Sequence, residues 1–93
     1  MTPDRRSVLE LSRHVRPDDL TAYISRRGWT PLSTRSPLVR RYTPPGAIEG
    51  FTLITPATSD GGDYAEAVAR ALELLSRVEQ RSPYDIIAQV STP

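Results

Sequence analysis

The amino-acid sequence predicts an α+β domain: a three-stranded antiparallel sheet packed by two helices in the order α-β-β-β-α, followed by a short C-terminal helix. Two segments, residues 17–27 and 63–81, carry apolar side chains at helical spacing. Between them lie three segments of strand-forming residues, separated by short turns that contain proline or glycine. Such short connections favour antiparallel pairing of consecutive strands. The 93 residues are expected to form one small domain.

Residues 1–15 fit two alternatives. Pro3 stands where helices commonly begin, and Val8, Leu11 and Val15 recur at helical spacing. The apolar run that starts at Val8 would equally form a short strand. The sequence therefore leaves the structure of this leader open.

Residue types at both ends of the helix predicted over residues 17–27 indicate where it begins and where it stops. Pro17 suits the first helical position, and Leu20 and Ile24 lie on one apolar stripe. Gly28 is expected to end the helix in the left-handed conformation. Trp29 would then fold back against the helix as a core residue.

Three strands are predicted over residues 29–34, 38–43 and 48–55. Because side chains alternate between the two faces of a strand, one face of the third strand is expected to supply Phe51 and Leu53 to the core. The helices over residues 17–27 and 63–81 would cover that face.

The helix over residues 63–81 begins at a predicted capping box formed by Asp63 and Glu66. Its opposite face pairs glutamates with arginines four residues later, a pattern typical of a solvated surface. Four apolar positions form its buried stripe: Val68, Leu72, Leu75 and Val78.

The last predicted helix covers residues 83–90. Ser82 can cap it and Pro83 suits its first position. Its apolar side consists of Ile86, Ile87 and Val90. We expect this short helix to pack at the edge of the domain.

The charges of the chain are unevenly distributed. Residues 1–45 hold nine arginines and four acidic side chains, whereas residues 46–93 hold three arginines and seven acidic side chains, so a formal net charge of +1 hides two halves of opposite sign. A domain that keeps the signs on different faces attracts an acidic partner in one direction. All basic residues other than His14 are arginines, which is also what codon bias in a high-G+C bacterial genome would produce. Both explanations stay open.

No pattern in the sequence predicts catalysis, and we expect the protein not to be an enzyme. The chain has no cysteine and one histidine, His14, so it offers no thiolate nucleophile and few metal ligands. Gly61 and Gly62 precede a helix, but Asp60 and Asp63 flank them and would repel a phosphate. No cofactor or metal is therefore expected. Apolar stretches are too short to span a membrane and no secretory signal is visible, which predicts a cytoplasmic protein.

The predicted function is a small, non-catalytic interaction or regulatory module with an arginine-rich face. A protein partner or a second copy of the chain is the expected ligand, and no membrane or small molecule is implied. Binding of nucleic acid is the alternative, because aromatic and basic side chains on one sheet face are typical of RNA readers. Alternation along the second strand places Arg40 and Tyr42 on one side of the sheet and Arg41 on the other. The residues predicted to bind the partner or the nucleic acid are Arg26, Arg27, Arg35, Arg40, Arg41 and Tyr42.

The order of a helix, three strands and a helix, with Gly28-Trp29 ahead of the sheet and Thr55-Pro56 at the end of the third strand, resembles double-stranded-RNA-binding domains and the HicA-type toxins that share their layout. The resemblance covers about two-thirds of the chain and implies an RNA-binding domain or a nuclease. Those toxins carry a histidine after Gly-Ser in the second strand, whereas residues 33–37 contain none. A nuclease is therefore the less favoured of the two. Residues 18–29 and 78–82 also look like parts of uncharacterised proteins of high-G+C bacteria.

Overall fold

The computed structural model describes residues 5–46, 52–59 and 62–91. Within them the chain forms an α+β structure, as predicted, with four helices and one three-stranded sheet. The elements are α1 (Arg5–Ser12), α2 (Pro17–Arg26), β1 (Thr30–Leu32), β2 (Val39–Thr43), β3 (Leu53–Pro56), α3 (Tyr64–Glu79) and α4 (Pro83–Val90).

The sheet has the strand order β1-β2-β3, and both pairs of neighbours are antiparallel, as predicted. The strands are shorter than the predicted segments. The chain leaves the sheet after Leu32, where the hydroxyl oxygen of Thr34 accepts a hydrogen bond from the backbone N–H of Ser36 and holds the connection to β2 in a turn. The predicted start of the third strand at residue 48 and the predicted core residue Phe51 lie outside the described residues.

One face of the sheet is covered by helices. Tyr42, Leu53 and Thr55 point to this inner face and are buried. Leu53 and Thr55 belong to β3, which packs against α3, and Tyr42 contacts Thr21 of α2. The apolar core between sheet and helices also contains the predicted helix positions Leu72 and Leu75. The prediction that Leu53 belongs to the core is confirmed.

Residues 5–12 resolve the alternatives left open by the sequence, because they form the helix α1. Val8 and Ser12 are buried, and the hydroxyl of Ser12 donates to the backbone carbonyl of Val8 at 2.6 Å. The helix packs against α3 and α4. Beyond its end, Val15 joins the core, and its carbonyl accepts a hydrogen bond from the hydroxyl of Tyr64.

The end of α2 follows the sequence prediction closely. Gly28 has φ +90°, and the N–H of Trp29 bonds back to the carbonyl of Ile24 at 3.3 Å. A side chain at position 28 would meet the ring of Pro45, so both the backbone conformation and the available space favour glycine. Trp29 is buried, as expected.

The predicted capping box of α3 is wrong. Asp63 precedes the helix, but its side chain accepts no capping hydrogen bond. Its backbone angles, φ −104° and ψ 20°, lie outside the extended region that directs a capping side chain at the first turn. At the other end, α3 stops at Glu79 because Gln80 adopts the left-handed conformation with φ 54°.

The last helix, α4, has the predicted bounds and the predicted cap: the hydroxyl oxygen of Ser82 accepts from the N–H of Tyr84 at 3.2 Å. Its predicted position at the edge is wrong. Ile86 is fully buried and Val90 almost so, and α4 packs against α1, α2 and α3. Its apolar residues recur at helical spacing and form part of the main hydrophobic core of the protein.

Candidate interaction surface

The six residues predicted to bind a partner or nucleic acid lie in three different environments. Arg26, Arg35 and Arg41 are exposed. Arg27 is held in a cluster at the ends of three helices. Arg40 and Tyr42 point to the inner face of the sheet, where helices cover them.

Arg40 and Tyr42 connect the sheet to α2 instead of facing solvent. The guanidinium of Arg40 donates to Thr21 Oγ1 at 2.6 Å and lies 3.4 Å from a carboxylate oxygen of Asp18. The hydroxyl of Tyr42 lies 3.3 Å from the same Thr21 oxygen, and only 3% of Tyr42 is exposed. The predicted stacking surface is therefore wrong: the two side chains do share a face, but α2 covers that face.

Arg27 belongs to a polar cluster centred on Glu79. Its Nε lies 2.6 Å from Glu79 Oε1, and the Glu79 side chain is only 6% exposed. The hydroxyl of Tyr23 donates to both carboxylate oxygens, at 2.9 and 3.0 Å. Arg81 donates to the Tyr23 oxygen at 3.2 Å and to Gln89 at 3.0 Å. The cluster ties the ends of α2 and α3 to α4.

Burial and the hydrogen bond to Glu79 raise the pKa of Tyr23 to about 12. Tyr23 therefore remains a hydrogen-bond donor at neutral pH. Glu79 compensates the charge of Arg27, so this arginine has a structural partner of its own. Sequence reasoning missed the cluster, because more than fifty residues separate Tyr23 and Arg27 from Glu79 and Arg81, and no local pattern connects the two pairs.

The outer face of the sheet presents a row of three side chains, one from each strand. Leu32 pairs with Arg41, and Arg41 pairs with Ile54, so all three side chains project on the same side. Leu32 is 37% exposed and Ile54 is 52% exposed. Arg41 is exposed and forms no ion pair with the described residues. We call this row, together with the half-buried Val39 and Thr43, the open sheet face.

A groove runs along the outer edge of β3. Its volume is about 800 Å³, and α3 forms its far wall. Ile54 belongs to both the groove and the open sheet face, so the two surfaces are continuous. Thr55 also lines the groove, and its buried hydroxyl has no hydrogen-bond partner among the described residues. The apolar lining includes Leu38, Leu53, Ile54, Pro56, Tyr64, Ala67, Ala71 and Leu74, with Asp63 and Arg70 as its charged members.

His14 lies apart from these surfaces. It is exposed and lines a smaller cavity of about 380 Å³ together with neighbouring residues of the α1–α2 connection and residues 57–59. Among the described residues, no group of three or more histidine, cysteine, aspartate or glutamate side chains is arranged to hold a metal ion.

No family model, no curated protein and no solved structure matches this chain. In the part of the chain that the structure describes, none of the helices has the length and apolar character needed to cross a membrane.

Proposed function

We propose that this domain is a non-catalytic interaction module that binds another protein through the open sheet face. The observation that carries the proposal is the row formed by Leu32, Arg41 and Ile54, in which two exposed apolar side chains flank an arginine without an ion pair. Large exposed apolar side chains that lie together are typical of contact surfaces.

The chemistry of the row fits a protein partner. Interface centres are enriched in arginine and in apolar side chains, and an arginine there often contributes more than its neighbours. The aliphatic stem of Arg41 can lie against apolar side chains while its guanidinium donates to a carboxylate of the partner. We therefore expect the partner to present an apolar surface with an acidic residue near its centre.

Nucleic-acid binding is the second proposal, and the placement of the arginines favours it less. Of the five arginines considered, Arg27 and Arg40 bond within the domain. The remaining three lie on different elements: Arg26 in α2, Arg35 in the β1–β2 connection and Arg41 in β2. Binding to a phosphate backbone depends on several cations acting along one path.

The test uses the purified domain as bait and compares three forms: the wild type, Arg41→Glu and Arg77→Glu. Arg77 is an exposed arginine of α3 and supplies a charge-matched control. We expect a partner protein whose binding Arg41→Glu weakens by about tenfold or more and Arg77→Glu leaves unchanged.

Two outcomes would overturn the protein-binding proposal. One is binding of partners that is equally strong in the wild type and in Arg41→Glu. The other is RNA binding that falls steeply with salt and is lost in Arg41→Glu, which would promote the nucleic-acid proposal instead.

A further inference from the structure

The two outer edges of the sheet differ in the backbone groups that they offer to a partner. The N–H of Ala57 donates to the carbonyl of Leu38 at 2.9 Å, which makes these two residues a hydrogen-bonded pair. Hydrogen-bonded and non-bonded pairs alternate along an antiparallel ladder, so Thr55 and Leu53 also direct their backbone groups at β2. Ile54, between them, directs its N–H and C=O at the free edge.

The same alternation decides which residue of β1 directs its backbone groups at the other outer edge of the sheet. Because Arg40 and Tyr42 bond to β3, it is Arg41 and Thr43 that bond to β1, and their partners are Leu32 and Thr30. Pro31 is thus the residue of β1 that faces the outer edge, and proline has no N–H to donate. The edge of β1 is closed to strand addition, as in many natural sheets.

At the edge of β3, by contrast, the N–H and C=O of Ile54 have no hydrogen-bond partner among the described residues, and they stand beside an apolar groove. Beyond the contact proposed for the open sheet face, we infer that a second copy of this chain adds its own β3 antiparallel to the first about a two-fold axis at Ile54. Each Ile54 N–H then donates to the Ile54 carbonyl of the other copy. Each Thr52 N–H donates to the Pro56 carbonyl of the other copy, and Pro56, which lacks an N–H, ends the pairing there.

The groove supplies complementary side chains for such a contact. The two α3 helices would lie on the same side of a six-stranded sheet, next to the axis and antiparallel. The groove side of α3 carries Ala67 and Ala71, which are small enough for helices to approach closely. Asp63 and Arg70 both line the groove and stand seven residues apart, roughly 10 Å along one side of the helix.

A two-fold axis makes the two α3 helices run in opposite directions, so Asp63, just before α3 in one copy, would face Arg70, about two turns further along, in the other. Arg70 is free to turn, because its bond within the chain is an exposed contact of 3.8 Å to Glu66. Opposite charges spaced along a single groove make it self-complementary, which a two-fold contact requires. The open sheet faces would also join, with Ile54 beside Ile54 across the axis.

The experiment measures the molar mass of the domain by sedimentation equilibrium from micromolar to millimolar concentration. We expect a dimer in the wild type, and we compare Ile54→Pro with Ile54→Thr. Among the backbone groups, the proline removes only an N–H that points away from β2, so it leaves the intramolecular ladder intact. The threonine keeps that N–H and a β-branched side chain, and so controls for the loss of the isoleucine side chain. Ile54→Pro should weaken dimerisation by about tenfold or more, and Ile54→Thr should weaken it less.

A second set of variants, which exchanges the charges at positions 63 and 70, tests the dimer even if Ile54→Pro fails to fold. Asp63→Arg alone and Arg70→Asp alone should each weaken the dimer, and the doubly exchanged variant should restore it. A monomer at all concentrations, or a dimer indifferent to both Ile54→Pro and the charge exchange, would overturn the inference.

The two proposals fail separately. If the domain is monomeric but Arg41→Glu still abolishes binding of a different protein, the interaction function stands and the self-pairing falls. If the domain is monomeric and Arg41→Glu has no effect on any binding, both are overturned.

Discussion

Neighbouring residues on β2 and on β3 meet opposite environments, according to the face of the sheet on which they lie. Arg40 is bonded to Thr21 and Asp18 beneath α2, whereas Arg41 is exposed on the other side. Leu53 is fully buried, whereas Ile54 is 52% exposed. Residues of the same chemical type, one position apart, thus either hold the fold together or remain available to a partner. The position in the strand, more than the residue type, decides which.

The largest expected effect separates Leu53 from Ile54. Leu53→Ala empties a space in the core and should lower the free energy of unfolding by about 2–5 kcal/mol. Ile54→Ala removes a half-exposed side chain and should change the free energy by about 0.5 kcal/mol or less. Urea denaturation of both variants measures the difference. Equal losses would contradict the assignment of the two residues to different faces.

The polar cluster at the helix ends gives the next largest effect. Glu79→Gln leaves Arg27 and Arg81 without a compensating carboxylate and should destabilise the domain by about 1–3 kcal/mol. The matched control is Glu73→Gln, which breaks only the exposed ion pair to Arg5 and should cost about 0.5 kcal/mol or less. Thermal unfolding of both variants decides. If the two variants had the same melting temperature, the cluster would contribute no more to stability than a surface ion pair.

Alkaline pH should reveal the contribution of the buried Tyr23 hydroxyl to the stability of the fold. The pKa of Tyr23 is raised from 10.0 to about 12 in the folded protein, so folding favours the protonated hydroxyl. Its contribution to stability is fully present below pH 10 and is lost as the pH rises from 10 towards 12. Denaturation from pH 8 to pH 12 should show a shallower alkaline loss in Tyr23→Phe than in the wild type. Identical slopes would show that Tyr23 titrates normally.

The smallest effect on stability, and the clearest division of roles, is expected for the adjacent arginines. Arg40→Ala removes the hydrogen bond to Thr21 and should cost about 1 kcal/mol. Arg41→Ala should change the free energy of unfolding by about 0.5 kcal/mol or less while weakening partner binding. Chemical denaturation and a binding assay on the same two samples separate the roles. A binding defect confined to Arg40→Ala would reverse the proposal.

Local signals in the sequence predict much of this fold. Pro17, Gly28 and Ser82 set helix boundaries through interactions within a few residues, so their effects can be anticipated without knowing the tertiary structure. The cap at Asp63 fails because the residue type permits a cap but the backbone angles do not direct the side chain. The choice between helix and strand for residues 5–12 depends on packing against α3 and α4, which no local pattern records.

The candidate site was only partly accessible to sequence reasoning. Strand alternation separates Arg40 from Arg41, but it does not say which of the two faces the helices cover. That choice depends on side chains such as Thr21, which receives the Arg40 guanidinium from a distant part of the chain. The pairing of Arg27 with Glu79 is equally non-local. No pattern in the sequence marks Ile54 as a contact residue. Its place beside Arg41 follows only from the register of β2 and β3.

The buried indole beyond Gly28 gives the protein a built-in optical reporter. Trp29 is the sole tryptophan of the chain and is only 4% exposed, at the junction of α2 and β1. Its fluorescence should therefore be blue-shifted in the native state and move to longer wavelength when the core opens. Ligands that occupy only the exposed side of the sheet should leave that emission unchanged. A single wavelength scan can thus tell loss of folding from loss of binding in every variant discussed above.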